Sequence, residues 1–203
     1  MSDLDDALSD IAAIKAQVDR TASFRGFGPA VLLLTAGLAG LGGVMQPYFV
    51  APGAGAVEAY LVFWGAIAMV AVTVIAVSSV VRARLAHGAR SRSMMLRVLW
   101  LFAPALIAGA TLGLAISVAV PETFWLLPGV WQVVLSLGIF AALPALPNSM
   151  GLVAAWYLLS GVSATLFGRA DIPSPWLMMI PFMVGQTLAA FVFFLDSKRS
   201  DGE

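Results

Sequence analysis

Cysteine is absent from all 203 residues, which excludes disulfides, thiolate-held metals and cysteine nucleophiles. Histidine occurs once, at His87, so a bis-histidine haem within one subunit is ruled out and a zinc ion would lack partners. Charge is scarce too: 11% of residues are Asp, Glu, Lys or Arg, against roughly a quarter in an ordinary soluble domain. None of these charges falls inside the long apolar runs, and this disfavours a carboxylate relay for protons. It also leaves any intramembrane nucleophile without a histidine or carboxylate partner. A noncatalytic protein with no metal and no cofactor is expected. Residues 1–20 are acidic and polar where a leader would be basic and then apolar, so no cleavable signal peptide is expected.

What is present is apolar: 61% of the chain is hydrophobic, and the expected solvent for most of it is lipid. A bilayer crossing needs about 20 apolar residues. The uncharged intervals 26–57, 59–81, 98–121 and 172–195 each hold one span. Interval 123–168 would be ~69 Å long as a single helix, so it must fold back on itself. PALPNS, Pro144 to Ser149, supplies the turn. The fold expected is all-α: a polytopic membrane bundle of six transmembrane helices preceded by a cytoplasmic amphipathic helix. Residues 1–24 form that helix and a junction. Residues 25–195 form the transmembrane domain, with spans at about 28–50, 59–81, 98–120, 123–143, 149–168 and 174–195, and residues 196–203 form a cytoplasmic tail.

Orientation follows from Lys and Arg in the short loops. With the N-terminus cytoplasmic, ten of the eleven basic residues lie inside and only Arg169 lies outside. Both termini are therefore expected in the cytoplasm, with the chain in the bacterial inner membrane. Tyr48, Tyr60, Trp125 and Trp176 fall at the predicted outer headgroup level and Trp100 at the inner one, while Trp131, Trp156 and Tyr157 fall deeper.

Helix association in lipid relies on small residues that let backbones approach. GLAGLGG (Gly37 to Gly43) and GATLG (Gly109 to Gly113) are such surfaces, and GLAGLGG lacks the lysine of a phosphate-binding loop. Met178, Met179 and Met183, with no cysteine or membrane histidine to join them, read as adaptable packing rather than copper ligands. The stretches beginning at Gly28 and at Ala103 share a small-Pro-Ala start and a Pro-Phe ending, a weak internal similarity of the kind transporter repeats show. Gln132 and Gln186 share their spans with Pro128 and Pro181. Each glutamine can satisfy a carbonyl freed by proline, reach a neighbouring helix, or line a polar pathway.

Three features sit outside the lipid. Arg82, Arg84, Arg90, Arg92 and Arg97 surround His87 in a basic loop, a topology signal and a candidate anionic-lipid contact. At the N-terminus, Leu4, Leu8, Ile11, Ile14 and Val18 recur at helical spacing, with Asp3, Asp5 and Asp6 crowding the first turn. Its balance of −3 over residues 2–20 suits protein better than an anionic leaflet, whether the chain's own cytoplasmic surface at the arginine loop, a second copy in a short coiled coil, or another protein, which makes those five residues candidate partner-binding positions. The candidate membrane-entry junction RTASFRGFGPA follows, with Phe24, Arg25 and Phe27 at the headgroup boundary and Pro29 opening the first span.

IAAIKAQVDR together with this junction, roughly residues 8–30, resembles a pattern in uncharacterised small multispanning bacterial membrane proteins. The resemblance implies no activity. The expected partners are the lipid bilayer and a second copy or another membrane or cytoplasmic protein, and no nucleic acid is expected. The function expected is that of a regulatory, sensory or assembly subunit acting through the N-terminal helix. The alternative is a transporter or permease subunit with a neutral polar pathway.

Overall fold

The computed structural model describes residues 28–85 and 89–201, and these are all-helical, without strands. The main helices are α1 (Pro29–Phe49), α2 (Ala56–Leu85), α3 (Ala89–Ala119), α4 (Leu127–Ala142), α5 (Met150–Phe167) and α6 (Trp176–Asp201). Short 3-10 turns at Pro121–Leu126 and Leu143–Ala145 lead into α4 and out of it. All six are long and apolar enough to cross a membrane, the architecture of a multi-pass membrane protein. The expected N-terminal amphipathic helix, with Leu4, Leu8, Ile11, Ile14 and Val18, lies outside the described residues, as do Phe24, Arg25 and Phe27.

Proline sets several helix starts, since its fixed φ suits the first turn and its missing N–H is not needed there. Pro29 opens α1, Pro121 opens the first 3-10 turn, and Pro128 stands in the first turn of α4. The fold-back in the longest uncharged interval falls at Leu143–Ala145 and the residues up to Ser149, within and beside PALPNS.

The helices run antiparallel and close a ring: each packs on the next in sequence, and α6 returns to α1. We call the end holding the start of α1, the α2–α3 and α4–α5 connections and the end of α6 the near end, and the opposite one the far end. Only 6% of the apolar windows of α2 and α3 is buried within the chain, against 33–44% for the other four, so α2 and α3 form an outlying pair beside a four-helix core. A near-half cluster holds Ile139, Met150, Val153, Tyr157, Ala189 and Phe193. The far-half cluster is aromatic: Tyr60, Trp64 and Phe124 with Leu127 and Met178.

Two seams show how closely the helices approach. At α4–α5, Gly129 and Gly161 face one another: a Cβ on Gly161 would stand 2.8 Å from the Gly129 carbonyl oxygen, and one on Gly129 would stand 2.7 Å from that of Gly161. At α1–α6 the glycines receive methionines instead. Met183 Sδ would lie 3.0 Å from a Cβ on Gly40, and Met179 fills the notch at Gly43. The methionines thus pack, as their flexible thioethers allow.

Several expectations are corrected. Tyr60 does not turn its ring outward as a headgroup anchor would: it is fully buried within the bundle, stacked on Trp131 at 6.1 Å and edge-on to Phe124. Tyr48, Trp100 and Trp176 are exposed by 81%, 76% and 60%, as headgroup anchors would be. The basic loop is mostly helix, since α2 runs to Leu85 and α3 resumes at Ala89. Its Arg, Ala, Leu and Met residues are strong helix formers, and water outside the lipid does not oppose them. The segments of the internal similarity differ in register: Pro29 begins α1, whereas Pro104 lies inside α3.

The glycine seam yields a stability prediction. Gly129→Ala and Gly161→Ala should each destabilise the protein by about 1–3 kcal/mol, the usual cost of overpacking a tight contact. Gly37→Ala, whose added carbon meets nothing within 4 Å, should leave the unfolding temperature of the detergent-solubilised protein unchanged.

Candidate functional site

The membrane-entry junction can be followed from Gly28. This residue is buried, extended at φ −74 and ψ 130, and its carbonyl accepts the N–H groups of Val31 at 3.0 Å and Leu32 at 3.3 Å as α1 begins. The Arg82 guanidinium lies directly on Gly28, filling the space that any Cβ would take. Glycine leaves this space open to the guanidinium; a larger residue would be met by the far end of a flexible side chain, which can shift. Of the predicted junction residues, Pro29 is placed, at the first helical position.

Of the five arginines, Arg82, Arg84 and Arg97 are exposed at the near end, on α2 and α3. The backbone of Arg90 and Arg92 belongs to the first turns of α3, and their side chains lie outside the described residues. Arg82 therefore has a structural partner in addition to its place in the basic cluster.

The polar candidates within the spans separate. Gln132 is fully buried, and its Nε2 donates to the Leu177 carbonyl at 2.7 Å. Leu177 lies four residues before Pro181, so its carbonyl is the one that proline deprives of an intrahelical donor. One helix further round, Trp156 Nε1 donates to the Pro181 carbonyl at 2.9 Å. The first turns of α6 are thus held from both α4 and α5. Gln186 is half-buried and faces the Tyr157 hydroxyl without forming a hydrogen bond to it. The structure does not bring the two glutamines to one site: Gln132 is tied to Leu177, more than two turns along α6 from Gln186.

Sequence reasoning missed Gln46. It is 2% exposed, donates through Nε2 to the Pro173 carbonyl at 2.8 Å and accepts from Trp64 Nε1 at 2.9 Å, joining α1 to α2 and to the α5–α6 connection. The signal that singled out Gln132 and Gln186, a glutamine in a span with proline, was also present here in adjacent Gln46-Pro47. Two more contacts complete the set: Trp131 Nε1 to the Gly109 carbonyl at 3.0 Å, and Ser136 Oγ to the Ala154 carbonyl at 2.8 Å. Three buried polar atoms, Tyr60 OH, Tyr157 OH and Gln132 Oε1, have no hydrogen-bond partner.

Chemically, these groups are neutral donors and acceptors spread along helix seams, and what they do is fasten helices. Among the described residues no three His, Cys, Asp or Glu side chains gather as a metal site would require. The fold and these contacts define a multi-pass helical bundle. Compared with protein-family models, curated proteins and solved structures, the chain matches none.

Gln132→Leu should destabilise the bundle by about 0.6–2 kcal/mol, the range for a hydrogen bond between membrane helices. In a Pro181→Ala background the cost should shrink, because the restored backbone N–H at position 181 takes over the Leu177 carbonyl. Thermal unfolding of the four variants of this cycle in one detergent measures the coupling.

Proposed function

We propose that this chain is a noncatalytic multi-pass protein of the bacterial inner membrane, with both termini cytoplasmic, and that it serves as a regulatory, sensory or assembly subunit through its N-terminal segment. The observation that carries the reading is the packing of Arg82 on Gly28. It ties the start of α1 to α2, so a force on the preceding segment acts on two helices at once. The amphipathic, acidic pattern of residues 2–19 supplies the surface for a second copy or a protein partner.

The alternative reading, a transporter subunit with a neutral polar pathway, has less support. The Gln132 amide is spent on the Leu177 carbonyl, and Trp131 beside it bonds Gly109.

Deleting residues 2–19 tests the reading. The shortened chain, purified in mild detergent, should change its subunit stoichiometry in native mass spectrometry. Otherwise it should lose a copurifying protein that rebinds the purified full-length chain. A deletion that alters neither the stoichiometry nor the bound proteins overturns the proposal.

A further inference from the structure

The near end of α2 and α3 combines two chemistries on neighbouring positions. On α2, exposed Val81 stands beside Arg82 and one turn from exposed Arg84; on α3, exposed Arg97 and Trp100 share a face at three-residue spacing. Each helix thus presents an apolar side chain with an arginine next to it on the water side. The N-terminal segment has the matching pattern: Leu4, Leu8, Ile11, Ile14 and Val18 at helical spacing, with Asp3, Asp5, Asp6 and Asp10 clear of that stripe. Its tether ends at Gly28, against Arg82 itself. The eight connecting residues 20–27 reach at most about 28 Å, enough to fold the segment back onto α2 and α3.

We propose that the acidic N-terminal segment of the same chain seats on the near end of α2 and α3, its aspartates on Arg82, Arg84 and Arg97 and its apolar stripe on Val81 and Trp100. The inference rests on the regulatory reading above and gives that segment a resting place: seated, it is withheld from a second copy or partner. Charge complementarity and the tether choose this occupant. A segment held within reach meets the arginines at a high effective concentration, whereas a partner must arrive from solution. Anionic headgroups recognise the same arginines, so an acidic leaflet should compete for the seat.

The absence of cysteine makes the test direct. Ala7→Cys is combined with Val81→Cys and, separately, with Trp100→Cys in the full-length chain, reconstituted in vesicles of neutral lipid. Mild oxidation should give an intramolecular disulfide in at least one pair, migrating as a monomer. Most of it should be lost at high salt, when Asp3, Asp5, Asp6 and Asp10 are all changed to Asn, and in vesicles rich in phosphatidylglycerol. Thiols that react freely with maleimide but form no disulfide in either pair overturn the seat, as do disulfides only between copies, or a yield indifferent to all three changes. A single-cysteine Gly37→Cys chain, whose site is open, controls for folding and labelling. Failure of the seat leaves the deletion experiment on residues 2–19 to decide the regulatory reading separately.

Discussion

The structure depends on one constraint: in lipid, a polar group without a protein partner has nowhere to turn. Water cannot bond a freed carbonyl there, so each irregularity in a helix must be satisfied by a neighbour. Pro181 deprives the Leu177 carbonyl of its donor within α6, and Gln132 from α4 supplies one; Trp156 from α5 adds a bond to the Pro181 carbonyl. The same economy governs the hydroxyls. Exposed Thr73, Thr111 and Thr187 return their hydrogens to carbonyls four residues back in their own helices, at 2.7, 2.8 and 2.7 Å. Ser136, which faces α5, donates across the seam instead. Facing a seam makes such a bridge possible without requiring it: buried Thr35 and Ser79 still donate to carbonyls of their own helices.

Satisfying polar groups across a seam requires the helices to be close, and this is where the glycines act. Gly129 and Gly161 bring α4 and α5 to backbone contact, and Ser136 reaches Ala154 along the same seam. Thr165 belongs to this seam as well, its Oγ donating to the Gly161 carbonyl and lying against Gly129. The α1–α6 seam is built differently, with methionine side chains filling the glycine notches. Flexible side chains tolerate a sliding surface better than touching backbones do. The α4–α5 seam is a contact of backbones, and the α1–α6 seam one of side chains seated in notches.

Much of this architecture was legible because lipid imposes lengths. Uncharged intervals gave the six crossings, and two prolines near Asn148 marked the fold-back. The faces were not legible. Leucine toward lipid and leucine toward another helix sit in equally apolar surroundings, so a span that is apolar all round carries no periodic sign of which side is buried. Tyr60 shows this: its place near the start of α2 could be read from the sequence, but the turn of its ring into the far-half cluster could not. Gln46 was as visible as Gln132, being adjacent to Pro47; what local spacing did not announce was its partners, Trp64 and the Pro173 carbonyl, 18 and 127 residues away. The arginine-rich stretch read as a loop because charge marks the exit from lipid, which is not the end of a helix.

The entry of the chain acquires its meaning from where it is anchored. Gly28 leads into α1, whose closest companion is α6 in the core, yet the guanidinium on Gly28 comes from α2, in the outlying pair. The Gly28–Arg82 and Gln46–Trp64 contacts lie 18 residues apart both on the α1 side (28 to 46) and along α2 (64 to 82), so α1 and α2 touch at two levels in matching antiparallel register. The entry to α1 is thus coupled both to a helix of the core, whose notches at Gly40 and Gly43 are filled by methionines from α6, and to a helix of the outlying pair.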